Sequence, residues 1–364
     1  MKKLVFISNI AAPYQIKLCY GLQPYFDTEF WFYDRLGDRP EFWKIPLGEK
    51  CRIIKNVIFK KKARYFTLEI IKMLNNFQPD IVMLGGFTIP SNYIAYLWAV
   101  SNKKKIIIFT ERSRDKCGKL RKGGFVWELI RSLYRKIDLI MVSDQDIVPQ
   151  FRDDFKFGNK VVAAQYPSDI DSYFLHNLRG KKELYSFLFP NRLIEIYNPL
   201  GAIKIFSKIC LTYPNSKLFL NNEGELKNKC KSLINELDIE NNVFFLDSIN
   251  NWNDLHLVYK DCDILLFPAE FSNGNFTILE SMASGLGIVI SENILGVGEL
   301  IENGKNGFRC VHVEENYIDS VLKYIKNPEL FIKHAELNRN IVRKYSILKT
   351  ADLYNKIIME NIKF

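Results

Sequence analysis

No stretch of this chain approaches the ~18 consecutive apolar residues of a membrane-spanning helix, which argues against an integral helical membrane protein. Histidine is scarce: His176, His256, His312 and His334 stand apart in the 364-residue sequence. No cysteine or carboxylate cluster joins them, so no metal centre is expected. The cysteines, Cys19, Cys51, Cys117, Cys210, Cys230, Cys262 and Cys310, are scattered without paired spacing. That pattern suits a reducing cytoplasm and argues against a disulfide-framed secreted domain. No Asp-x-Asp stands in a plausible metal-binding position. Asp261-Cys262-Asp263 precedes a strand and is placed at its far end. Met1 to Ile10 opens with two lysines, but Asn9 and Pro13 interrupt the apolar run too early for a signal peptide.

What is present reads as globular. Hydrophobic residues make up 48% of the sequence, enough for sizeable cores. A chain of this length is expected to hold two domains, at roughly 100–200 residues each. Apolar runs mark buried strands at Leu4 to Ser8, Phe30 to Tyr33, Ile81 to Leu84, Lys105 to Thr110 and Ile137 to Val142. Further runs lie at Ser186 to Phe189, Leu218 to Leu220, Val243 to Leu246, Ile264 to Phe267 and Gly287 to Ile290. Helical patterns separate many of them, among them Pro199 to Leu211, Leu226 to Leu237 and Asp254 to Tyr259. This alternation is that of parallel α/β sheets.

The stretch from Phe267 to Gly285 organises the rest. An apolar strand leads into the small polar residues Ser272-Asn273-Gly274-Asn275. Thr277 to Ala283 then has helical composition and ends at Ser284-Gly285, a stop signal. A loop that opens a helix leaves free N–H groups and a favourable dipole for phosphate. Glu280, one turn into that helix, has the chemistry to accept hydrogen bonds from paired ribose hydroxyls. A solvated helix glutamate after an ordinary loop is the plain alternative.

Leu279-Glu280-Ser281-Met282-Ala283-Ser284-Gly285 resembles the second half of the signature of the family-4 glycosyltransferases, retaining enzymes with nucleotide-sugar donors. That signature is a Glu, seven residues and a second Glu. The resemblance implies that Glu280 binds the donor ribose. The first Glu, which contacts the donor sugar, falls here at Ser272, with Glu270 two residues early. Pro190-Asn191-Arg192-Leu193 resembles the family's Gly-Arg-Leu segment, so Arg192 is expected on the donor diphosphate, where a guanidinium fork suits two phosphates. The partnering Lys position is Tyr197, with Lys204 as the alternative cation. Asn221-Asn222-Glu223-Gly224 resembles a Gly-x-Gly turn without its first glycine. Gly224, Gly274, Asn275, Phe276 and Thr277 complete the implied donor site.

In the first half, Asn9-Ile10-Ala11-Ala12-Pro13-Tyr14 stands where classical members carry Gly-Gly. Gly85-Gly86 follows the third strand, where glycines allow close backbone approach. Glu111, at the end of the Lys105–Thr110 strand, matches a position that faces the donor sugar; an ion pair with Arg112 or Arg114 is the plain alternative. The resemblance implies catalytic roles for Glu111, Ser272 and Glu270, and an acceptor side at Pro13, Tyr14, Gly85, Gly86 and Arg112.

Charge is uneven. The net charge is +10, and Lys103 to Lys136 holds twelve Lys or Arg against three acids. Phe125, Val126, Trp127, Leu129, Ile130, Leu133 and Tyr134 are interleaved, and Lys60 to Arg64 forms a second cluster. Cations beside exposed aromatics favour an anionic membrane surface. The alternative is a solvated rim over core aromatics. Nucleic acid is not expected, because no base-reading motif appears.

The resulting expectation is an α/β protein of two Rossmann-like domains facing a cleft, the GT-B fold. Residues 1–170 would bind acceptor and 183–345 the nucleotide-sugar, with a linker near Pro167 to Lys182. Residues 346–364 would form a helix crossing back to the first domain. The expected activity is metal-independent, cofactor-free transfer from a UDP- or GDP-linked sugar to a saccharide or lipid-linked hydroxyl in capsule or lipopolysaccharide synthesis. The expected location is the inner face of the cytoplasmic membrane. A non-catalytic sugar-nucleotide-binding partner subunit is the alternative.

Overall fold

The computed structural model describes residues 1–61, 64–114, 121–175, 177–178, 185–246, 249–272 and 276–364. The chain divides into two compact units, Met1–Asp169 with Tyr345–Phe364, and Ile170–Lys344.

In the first unit the strands are β1 (Lys3–Ile10), β2 (Asp27–Asp34), β3 (Cys51–Ile53), β6 (Ile81–Gly85), β7 (Lys105–Thr110), β8 (Leu139–Val142) and β9 (Val161–Ala163), with a small hairpin of β4 (Phe59–Lys61) and β5 (Arg64–Phe66) between β3 and β6. The main sheet runs β3-β2-β1-β6-β7-β8-β9, and every pairing in it is parallel. A parallel sheet is covered on both faces, which is why its strands read as unbroken apolar runs. Alternation sorts the side chains between two cores. Val5, Ile7, Val82, Leu84, Ile106 and Ile108 face one core. There α2 (Glu69–Phe77), α3 (Pro90–Ser101) and α4 (Phe125–Leu133) contribute Ile70, Ala95 and Trp127. Leu4, Phe6, Ile81, Met83, Ile107 and Phe109 face the other, under α1 (Pro13–Gly21) and the terminal helix Ile347–Asn361.

That helix belongs to the first unit although it follows the second in the chain. Its Ala351, Tyr354, Ile357 and Ile358 are core residues beside Ile16 and Leu18 of α1. Gly21 makes the close approach possible: a Cβ there would lie 3.2 Å from Ile347 and 3.3 Å from Ala351. Ser168 N–H donates to Tyr345 O at 2.9 Å, and Tyr354 Oη donates to Gln165 O at 3.0 Å.

The second unit has β10 (Ser186–Phe189), β11 (Lys217–Leu220), β12 (Val243–Phe245), β13 (Ile264–Phe267), β14 (Gly287–Ser291) and β15 (Phe308–Cys310). Its order is β12-β11-β10-β13-β14-β15, again parallel throughout. Its helices are α5 (Pro199–Thr212), α6 (Lys227–Glu236), α7 (Leu257–Lys260), α8 (Phe276–Ser284), α9 (Glu314–Lys326) and α10 (Pro328–Val342).

The helix expected over Asp254 to Tyr259 is instead a 3-10 turn, Trp252–Asp254, followed by the single turn of α7. Asn251 initiates that turn by accepting from Asn253 N–H, and Trp252 is buried. In the expected linker, Asp171–Leu175 forms a 3-10 turn with Tyr173 buried, whereas Arg179 to Lys182 lie outside the described residues.

Strand order reverses direction between β1 and β6 in the first unit and between β10 and β13 in the second. In open α/β sheets such switch points leave a crevice outside the carboxyl ends of the strands, where ligands bind. Asp263 stands at the opposite end of β13, its carboxylate accepting from Ser186 N–H at 2.8 Å. The Asp261–Asp263 pair therefore lies away from that crevice.

Candidate functional site

In the second unit, the segments leaving β10 and β13 are stitched together at the switch point. Asn191 Nδ2 donates to Thr277 Oγ1 at 3.3 Å, and Asn198 Nδ2 donates to Pro268 O at 3.1 Å. Asn198 also caps α5 by accepting from Gly201 N–H at 3.0 Å, followed by Pro199 at the first helical position. Asn191 Oδ1 is buried and has no hydrogen-bond partner among the described residues. A buried unpaired acceptor is costly, so this oxygen marks a place where a donor group is wanted.

Arg192 sits next in the same loop and is exposed. Gly224 holds the neighbouring turn against that loop. Its φ is +140°, and a Cβ there would fall 2.3 Å from Leu193 O. Leu193 N–H donates to Glu223 O at 2.7 Å and Leu226 N–H to Leu193 O at 2.9 Å. Gly224 thus positions the Arg192 loop through the backbone. Tyr197, at the expected Lys position, lays its ring against Phe267, with centroids 5.7 Å apart. Lys204 is exposed on α5 and lines a groove against α6 with Leu200, Lys229 and Glu236.

Glu280 lies one turn into α8 and is only 8% exposed. It is not a solvated helix glutamate. Tyr259 Oη donates to its Oε2 at 2.5 Å. Burial and the Glu280 charge push the Tyr259 hydroxyl well above its usual range, so it stays a proton donor. Tyr173 packs edge-on against Tyr259 at 5.2 Å. Phe276 and Thr277 open α8; Gly274 and Asn275, assigned to the same site from sequence, lie outside the described residues. At its C-terminus, Arg339 Nε donates to Ala283 O at 2.9 Å, and Gly285 takes φ +79°.

Ser272 is buried, and its carbonyl accepts from Leu295 N–H at 3.1 Å. Glu270 is half-exposed and its Oε1 meets His312 Nε2 at 2.7 Å. His312 stood alone in the sequence; the fold brings it from beyond β15 to the loop after β13. His334, by contrast, is a core residue sharing a hydrogen bond with Tyr324 Oη at 2.9 Å.

In the first unit, Gly85 and Ser8 meet at the β1/β6 switch point, where a Cβ on Gly85 would lie 3.4 Å from Ser8. The carbonyls of Gly85 and Gly86 both accept from Asn92 Nδ2, at 3.0 and 3.3 Å. Gly86 has φ +81° and open space where a side chain would stand. Pro13 is the first residue of α1, whose N-terminus has no side-chain cap.

Tyr14 follows, edge-on to Tyr166 at 6.0 Å. Tyr166 Oη donates to Glu111 Oε1 at 2.5 Å. Burial and the Glu111 charge raise both tyrosine hydroxyls above their usual range. Glu111 thus has a tyrosine hydroxyl as a hydrogen-bond partner. Beside it, Arg112 has a buried Nη2 with no hydrogen-bond partner among the described residues.

Sequence reasoning missed Asn191, Tyr259, Tyr166 and His312. It also missed Asn198, which alone carried a readable signal, an Asn-Pro pair before a helix. Among the described residues, no three His, Cys, Asp or Glu gather as a metal site, and no helix is long and apolar enough to cross a membrane.

Residues 175–344 match the family model "Glycosyl transferases group 1". An uncharacterised glycosyltransferase of Haemophilus influenzae is 31% identical over 160 residues, 43% of this chain and 44% of that protein. The chain thus spans less than half of that relative's length. An N-acetylgalactosamine-N,N'-diacetylbacillosaminyl-diphospho-undecaprenol 4-alpha-N-acetylgalactosaminyltransferase of Campylobacter jejuni is 24% identical over 269 residues, 72% of this chain and 71% of that one. A crystal structure of Anabaena HepE in complex with UDP aligns with TM-score 0.73 and 14% identity, covering 98% of this chain and 100% of that one, which shows the shared fold.

Proposed function

We propose, for a chain of GT-B fold whose residues 175–344 match the glycosyl transferases group 1 model, retaining transfer of a sugar from a nucleoside diphosphate sugar to a hydroxyl of a saccharide or lipid-linked acceptor, in cell-surface polysaccharide synthesis. One observation carries this reading: a buried carboxylate, Glu280, one turn into the helix that starts at the β10/β13 switch point. Such a group suits the paired hydroxyls of a ribose, and the helix start and Arg192 suit the diphosphate. Arg192 and the oriented N–H groups neutralise charge on the leaving diphosphate, without a metal in the proposed step. Glu270, in the loop after β13, is the proposed carboxylate near the donor sugar, and Glu111 of the first unit keeps the catalytic role that the resemblance implies. The Anabaena structure is a complex with UDP, which supports a UDP-linked donor here. The Campylobacter relative is named for a diphospho-undecaprenol substrate, which supports a lipid-linked acceptor at the inner face of the cytoplasmic membrane.

A second reading, a sugar-nucleotide-binding partner subunit with impaired catalysis, is favoured by Ser272 in the acid position and by Tyr197 packed on Phe267 in place of a lysine. A panel of UDP- and GDP-sugars assayed for nucleotide release separates the two. Turnover with one donor supports the enzyme. Donor binding without release supports the partner subunit. The same assay in EDTA is expected to retain its rate; a loss restored by magnesium or manganese would overturn the metal-free step.

A further inference from the structure

The basic segment of the first unit contains one helix whose outward face is apolar. On α4, Phe125 is 80% exposed, Val126 58%, Leu129 51% and Leu133 41%. At about 100° per residue these four fall within roughly a quarter to a third of the helix circumference. Trp127 and Tyr134 occupy the opposite arc and are buried. The sequence left open whether Trp127 lies on the surface; it is an anchor instead. Its ring stacks on Phe155 at 3.7 Å and meets Phe151 and Phe87 edge-on at 5.6 and 5.7 Å. That aromatic cluster fixes the rotation of α4, so the outer stripe cannot turn inward without breaking it.

Cations bracket the stripe. Arg121 and Lys122 precede the helix, and Arg135 and Lys136 follow its last turn, all exposed. The acid on the helix, Glu128, is paired with Lys156 at 3.5 Å. An exposed apolar stripe with basic ends has the composition of a helix that lies in a membrane interface.

We propose that α4 is an interfacial helix that docks this protein on an anionic bilayer, with Phe125, Leu129 and Leu133 entering the acyl boundary and the flanking cations on lipid phosphates. This deepens the membrane-partner reading above and rests on it for its biological setting, but it stands on the geometry of α4. Charge complementarity selects the occupant. A second copy would set like charges against each other, and a protein interface of ordinary size needs about 800 Å² per partner, more than four side chains offer. The contribution is of two kinds: cation attraction, screened over ~8–10 Å at physiological salt, and apolar insertion, which salt does not screen.

The test is co-sedimentation of the full chain with vesicles of mixed phosphatidylglycerol and phosphatidylcholine, and with phosphatidylcholine alone. Binding is expected to the mixed vesicles, with a salt-resistant remainder. Phe125→Ser with Leu129→Ser should lower the partition coefficient at least tenfold and remove that remainder. Arg135→Ser with Lys136→Ser should remove mainly the salt-sensitive part. A dye on Leu129→Cys should shift to the blue on mixed vesicles. Thermal melts confirm that each variant folds. Donor hydrolysis should not change, so failure here is distinguishable from failure of the activity. Equal binding by the apolar double variant, binding to neither vesicle, or a dimer that this variant dissolves would each overturn the proposal.

Discussion

Glu270 and His312 face each other across 2.7 Å, one in the loop after β13, the other just beyond β15. Ser272 occupies the position where the resembling family has its first acid, and the fold offers Glu270 nearby with a basic partner to hold it. If Glu270 serves the donor sugar, Glu270→Gln should lower kcat at least tenfold with KM little changed. His312→Ala, which frees the carboxylate without removing it, should cost less. Steady-state nucleotide release measures both. A Glu270→Gln variant with wild-type kcat would make the pair a surface contact and strengthen the partner-subunit reading.

Glu280 is buried against Tyr259, so its carboxylate is already oriented before any ligand arrives. Glu280→Gln is expected to weaken donor binding at least tenfold, about 1.4 kcal/mol. Tyr259→Phe removes the orienting hydroxyl but leaves the charge, and should weaken it only a few-fold. Calorimetric titration with nucleoside diphosphate gives both constants. Unchanged affinity in a folded Glu280→Gln variant would take this residue out of the site.

Arg192 is exposed in a loop held by Gly224. Arg192→Ala should weaken diphosphate binding more than monophosphate binding, and Arg192→Lys should fall between, because it keeps the charge and loses the fork. Equal losses for mono- and diphosphate would show that Arg192 does not read the second phosphate.

His334 ties pH to stability. Burial lowers its pKa below the ordinary histidine value. The folded state therefore holds this proton less tightly than the unfolded state does. Its contribution is complete above about pH 6.5 and is lost as pH falls toward the lower folded value. The melting temperature should drop on acidification through this range, and His334→Gln should flatten that limb. An unchanged acid limb in the variant would assign the loss to carboxylates instead.

Much of the architecture was legible because parallel strands buried on both faces write themselves as apolar runs: Leu4 to Ile7 and Ile264 to Phe267 are core throughout. The place of Glu280 one turn into α8 was legible because a strand, a loop and a helix start follow one another locally. The partners were not. Tyr259 and Glu280, Tyr166 and Glu111, and His312 and Glu270 meet through tertiary packing, and no local period encodes such a meeting. Trp127 shows the converse: pattern alone does not tell a core aromatic from a surface one when the helix carries both.

The first unit is closed by residues that follow the second in the chain. During synthesis the Ile16 and Leu18 side of α1 must therefore wait, uncovered, until the ribosome has delivered Ala351, Tyr354 and Ile358. The second unit, contiguous in sequence, meets no such delay. A nascent chain thus carries an unfinished first unit throughout synthesis of the second, and a stop codon before Tyr345 would leave that apolar side bare for good. Chaperone dependence should follow the first unit rather than the second.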